Sequence, residues 1–174
     1  AEASTNLARY DGVRYGLRSD KAKSLRDVYE MSKNEGFGTE VKQRILLGTY
    51  VLSSGYQDAY YIKAQKVRML MKREYEKSFA SCDVIALPTS PITAPLIGQI
   101  QDPLEMYLAD MYTLSANLVG IPAISCPMGF SSDGLPMGFQ IQGPQKEDAR
   151  VMQFAHQFEK ESPHSSRIAP LFED

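Results

Sequence analysis

Two charged residues stand where charge is costly. Arg44 opens a stretch, residues 45–55, with no charged side chain, and at helical spacing it shares a face with Val41, Gly48 and Val51. Asp110 falls between Tyr107 and Leu114 on one side of an apolar-striped segment. A buried guanidinium or carboxylate demands a partner. The two are therefore candidates for a binding pair, for a structural ion pair, or for amphipathic side chains that reach water. Nucleophilic chemistry has weaker footing. Serine hydrolysis needs a hydroxyl beside a base and a nest of backbone amides for the oxyanion. Ser53-Ser54-Gly55 lacks flanking glycines and sits at the expected end of a helix, where it reads as a C-cap. Cys126 with His156 or His164 would make a thiol–imidazole pair. Yet Cys126 lies in an apolar, strand-like run and both histidines fall on or after the last, largely polar helix, so structural and surface roles are expected. Cys82 and Cys126 show neither CxxC spacing nor a Cys/His cluster; they are expected to be reduced, buried thiols, and no metal site is expected. Lys63, Lys66, Arg68, Lys72, Arg73 and Lys77 face only Glu74 and Glu76. That basic surface reads as a solvated helix face, because the aromatic residues of the same helix lie on its core stripe and are not placed to stack bases.

The elements that must position these groups follow from period and punctuation. A helix is expected over 1–8, a turn-rich loop over 9–16 and a second helix over 24–34. Gly36 and Gly38 break the pattern, and Thr39 is the expected N-cap of a helix that carries Arg44 and runs to about 53. A third long helix, over 58–80, places Tyr60, Ala64, Val67, Met71, Tyr75 and Phe79 on one stripe expected to be core. Residues 83–87 read as a short strand closed by Pro88. Asp102, Pro103 and Glu105 give a strong helix start, and Leu104, Leu108, Met111, Leu114 and Leu118 continue it as an apolar stripe that brings Asp110 with it. Two apolar runs, 121–126 and 137–141, flank Ser131-Ser132-Asp133-Gly134 as a strand pair, and an amphipathic helix closes the pattern over 146–161.

Composition excludes several classes. The 174 residues, 43% hydrophobic and 23% charged, suit one ordinary globular core, and a net charge of −2 argues against a surface that binds nucleic acid throughout. No apolar run approaches the roughly 18 residues of a membrane-spanning helix, and the N-terminus lacks the layout of a signal peptide. A cytoplasmic chain with no membrane partner is expected. Its start at Ala1, inside a helix, suggests a piece of a longer polypeptide.

Residues 117–144, with their paired Pro- and Gly-bracketed strands, resemble the C-terminal strand pair of the amidase signature family. Residues 8–16, 35–44 and 52–61, Pro88-Thr89-Ser90-Pro91, and 102–107 are similar to the A-subunit family of bacterial glutamyl-tRNA(Gln) amidotransferases, and the resemblance covers essentially the whole chain. It implies an α/β amidase signature fold, a mixed β-sheet flanked by helices, of which residues 1–174 would be the C-terminal segment of a single amidase domain. It implies a glutaminase whose ammonia passes to the B subunit of the amidotransferase, where Glu-tRNA(Gln) is activated with ATP and Mg²⁺ and amidated; the B and C subunits are the expected partners. No cofactor is expected in this chain. The family's catalytic Ser, cis-Ser and Lys would lie in an absent N-terminal part, so no catalytic residue is expected here. The matching Arg44 and Asp110 would bind glutamine. A zwitterion needs a cation for its α-carboxylate and an anion for its α-ammonium, so the two would face a common cleft at a small-molecule span. Another amidase of this fold, or a non-catalytic interaction module, are the alternatives.

Overall fold

Ser24 and Asp27 close a reciprocal cap in the computed structural model, which describes residues 1–100, 102–164 and 166–168. The Ser24 hydroxyl accepts from the Asp27 amide (3.1 Å) and the Asp27 carboxylate accepts from the Ser24 amide (2.9 Å). These bonds start the helix Leu25–Gly36 (α2), preceded by Glu2–Leu7 (α1). The next helix, Thr39–Leu52 (α3), has Gly38 as its N-cap and not the expected Thr39. The first helical bond decides this, because Lys42 N–H donates to the Gly38 carbonyl (3.1 Å). α1 lies on α3 at Gly48, where a Cβ would sit 2.6 Å from Ser4 Oγ; the missing side chain permits that approach. Ser53 ends α3 as expected, its hydroxyl donating to the Tyr50 carbonyl (2.6 Å). In the loop before α2, Asp11 Oδ1 accepts from the Val13 and Arg14 amides (2.9 and 3.0 Å). Those backbone donors, Arg14 first, hold the Asp11 carboxyl below the usual carboxylate range.

The third predicted helix begins as a π-helical turn, Gln57–Ile62, and continues as Lys63–Phe79 (α4). Its expected core stripe does not form: no α4 residue is buried, Tyr60 and Val67 are exposed, and Met71, Tyr75 and Phe79 are only half-buried. Helical period identifies an apolar face but carries no information about what covers it. The chain divides into two compact units, the first Ala1–Val67 and the second from Arg68 on.

In the second unit, strands Ile85–Pro88 (β1), Ala123–Phe130 (β2) and Pro136–Gln142 (β3) form a sheet in the order β1-β3-β2. Both pairings are antiparallel, so the parallel pairings of a mixed sheet are not among these strands. A hairpin joins β2 to β3 and dictates the direction of that pair. Helices Pro103–Ala109 (α5) and Met111–Val119 (α6) lie between β1 and β2, and Asp148–Glu161 (α7) follows β3. Strand alternation gives the sheet two unlike faces. Ile124 pairs with Ile141 and Cys126 with Phe139, and α7 covers this apolar face with Val151 and Ala155. Gln140 and Gln142 point to the opposite face, together with Ser125.

The apolar stripe Leu104, Leu108, Met111, Leu114 and Leu118 lies open, each residue between 44% and 69% exposed. One further expectation is corrected. Cys82 is exposed, not buried: it follows the end of α4, where its thiol donates to the Ser78 carbonyl (3.3 Å).

Candidate functional site

The polar face of the sheet borders a cleft of about 810 Å³ whose lining includes Thr89, Ser90, Tyr112, Ser125, Met137 and Gly138. Its floor is held by short contacts. Thr89 N–H donates to the Gly138 carbonyl (2.9 Å), and the Thr89 and Ser125 hydroxyls hydrogen-bond to each other at 2.6 Å. A Cβ on Gly138 would lie 2.6 Å from Thr89 Oγ1 and 2.8 Å from Ser125 Oγ, so only glycine allows both hydroxyls to close over the central strand. Beside them, Gln140 and Gln142 are 3% and 0% exposed. Gln142 Nε2 donates to Gln140 Oε1 and reaches the Tyr112 carbonyl at 3.4 Å, while Gln142 Oε1 has no partner among the described residues. Sequence reasoning passed over these glutamines. Their signal is the alternation Phe139-Gln140-Ile141-Gln142, which marks one face as polar but does not tell that the polar face is also buried.

Asp110 sits at the edge of this cleft region in sequence, between the lining residues Ala109 and Tyr112. The single helix expected over 104–118 is broken there. Asp102 caps α5, accepting from Leu104 N–H (2.9 Å), and Asp110 is both the C-cap of α5 and the N-cap of α6, with φ −91° and ψ 2°. Its side chain is exposed and in no ion pair among the described residues. Arg44 lies in the first unit, on α3, and is also exposed, with 59% of its side-chain surface open and Nε 3.1 Å from Glu40 Oε1. The desolvation penalty anticipated for both charges is therefore not incurred. An exposed pair one helical turn apart contributes little, and the Arg44 fork remains accessible to another carboxylate.

The alternative nucleophiles fall away. Cys126 is 2% exposed in the core beneath α7, and burial first, then the nearby Glu159, pushes its thiol up from the ordinary range. His156 is exposed on α7, and His164 packs edge-on against Phe130 with ring centroids 5.8 Å apart, while the Arg167 guanidinium lies 4.2 Å from the centroid of that ring. The basic face of α4 carries a pair between half-buried Lys72 and exposed Glu76 (3.9 Å), and Arg68 Nε donates to the Leu118 carbonyl (2.7 Å). Among the described residues no three His, Cys, Asp or Glu side chains group as a metal site, and no helix is long and apolar enough to cross a membrane. In the folded chain, an aromatic disulfide reagent is expected to modify Cys82 within minutes and to leave Cys126 unmodified until denaturant is added. Rapid titration of both thiols under native conditions would show that the core around Cys126 opens freely.

Residues 1–152 match the family model described as Amidase. The chain belongs to the amidase family. Among amidase relatives, it is 61% identical over 174 residues to the A subunit of glutamyl-tRNA(Gln) amidotransferase from Protochlamydia amoebophila, covering all of this chain and 36% of that protein. The corresponding protein of Halothermothrix orenii is 55% identical over 160 residues, covering 92% of this chain and 34% of that one. The chain thus spans about a third of the length of these curated relatives. The crystal structure of the glutamyl-tRNA(Gln) amidotransferase A subunit from Thermotoga maritima superposes with a TM-score of 0.61 at 39% identity, over 90% of this chain and 33% of that one. The helix-flanked sheet is accordingly an α/β portion of the amidase fold.

Proposed function

We propose that residues 1–174 are the C-terminal segment of a single amidase domain in the A subunit of a bacterial glutamyl-tRNA(Gln) amidotransferase, and that they bind the glutamine from which ammonia is released. The observation that carries this reading is the 61% identity over the entire chain to a protein named as that subunit. Arg44 takes the α-carboxylate of glutamine and Asp110 its α-ammonium. Support comes from their surroundings: each is exposed, Arg44 is held only by a weak neighbouring pair, and Asp110 is in no ion pair among the described residues. In this reading the acyl chemistry belongs to a Ser, cis-Ser and Lys outside these residues, so the segment alone releases no glutamate from glutamine. Hydrolysis of the side-chain amide yields glutamate and ammonia. The B subunit, with ATP and Mg²⁺, activates Glu-tRNA(Gln) and passes the ammonia onto it; the C subunit completes the complex, in the cytoplasm, and this chain itself holds no cofactor.

The test is reconstitution of the full-length protein with the B and C subunits. Glutamine-dependent conversion of Glu-tRNA(Gln) to Gln-tRNA(Gln), with ammonium salts able to replace glutamine, is the expected result. Hydrolysis of simple amides with no tRNA amidation from either nitrogen donor would instead identify another amidase of the same fold.

A further inference from the structure

We infer that Ser90 is the positioning residue for Asp110, holding the helix corner from which that carboxylate projects; the inference rests on the assignment of Asp110 to the ammonium of glutamine. The corner itself creates the need. In an unbroken helix the Thr113 amide would bond the Ala109 carbonyl, four residues back. Here Thr113 N–H donates to the Asp110 carbonyl instead (3.1 Å), and Leu114 N–H shares that acceptor (3.1 Å). The Ala109 carbonyl is thereby released from the helical ladder at a half-buried position, where an unmade hydrogen bond is costly. Ser90 Oγ donates to it at 3.2 Å, across 19 positions of sequence.

The donor is itself anchored. Thr89, the preceding residue, is bonded through its amide to Gly138 on the central strand and through its hydroxyl to Ser125. Pro88 and Pro91 flank the pair and restrict the backbone on both sides. The Ser90 hydroxyl also accepts from the Ile92 amide (3.4 Å), which leaves its proton for Ala109. A continuous path of bonds thus runs from the middle of the sheet to the peptide that joins Ala109 to Asp110. Loss of the Ser90 hydroxyl would let this corner relax toward an unbroken helix, and a carboxylate displaced by about 1 Å meets an ammonium poorly.

In the full-length protein assembled with its partner subunits, Ser90→Ala is expected to raise KM for glutamine about fivefold, the size of one lost neutral hydrogen bond. The kcat with glutamine and the rate with ammonium chloride should stay within about twofold, and Ser90→Thr should restore most of the affinity. Measured in an Asp110→Asn background, Ser90→Ala should add almost nothing, because a residue that acts through another is silent once that other is gone. An unchanged KM in Ser90→Ala, or an equal fall with glutamine and ammonium, overturns the inference; the second outcome would assign Ser90 to folding. Should Asp110→Asn itself leave KM unchanged, the assignment of Asp110 fails and the inference fails with it. Should Asp110→Asn raise KM while Ser90→Ala does not, only the role of Ser90 is lost.

Discussion

Arg44→Ala in the complete amidotransferase is expected to raise KM for glutamine by about 10- to 100-fold, with ammonium-dependent amidation within about twofold of the parent. The range is that of a charge-assisted hydrogen bond removed from a ligand carboxylate. The structure makes the experiment clean. The Arg44 side chain is 59% exposed and, among the described residues, pairs with the exposed Glu40, so its removal leaves no buried charge behind and the effect on folding should be small. Arg44→Lys should fall between the two, keeping the charge and losing the bidentate fork. Asp110→Asn is expected to match Arg44→Ala in direction, because it removes the negative charge and keeps an acceptor oxygen at the helix corner. Equal losses with glutamine and ammonium would reassign both residues to assembly of the enzyme, since ammonium bypasses the glutamine site.

Ile141→Ala is expected to destabilise the second unit by about 2–5 kcal/mol, the range for emptying a packed aliphatic site. Ile141 is 2% exposed on the central strand, paired with Ala86 on one side and Ile124 on the other, and lies under Val151 and Ala155 of α7. Leu114→Ala provides the contrast: with Leu114 48% exposed, a loss below about 1 kcal/mol is expected in this chain. Urea unfolding followed by far-ultraviolet circular dichroism measures both, as the chain contains no Trp to report by fluorescence. Similar losses in the two variants would mean that the β-sheet core is looser than the packing around Ile141 implies.

Much of the local structure was legible in the residues themselves. The helix start at Ser24, Asp102 with Pro103, and Ser53 ahead of Gly55 mark helix ends because polar side chains there bond backbone groups left open at a helix terminus. The strand pair of 121–126 and 137–141 followed from two apolar runs bracketed by Pro and Gly around a four-residue turn, and Cys126 was rightly placed in the core. The motifs around 9–16, 35–44 and 117–144 carried the family. Coverage was not legible. The stripes of α4 and of α5–α6 have the same helical period as the face of α7, yet those stripes stay open while the α7 face buries Val151 and Ala155, because burial depends on which surface lies opposite and no local period encodes that. The break at Asp110 was equally hidden: the apolar spacing runs through it without interruption, and the corner is stabilised by a hydroxyl 19 positions from the carbonyl it binds. Gln140 and Gln142 give the same lesson from the sheet, where alternation could mark their face as polar and only tertiary packing, by closing α6 and the Thr89–Ser125 pair over it, makes that face an interior one.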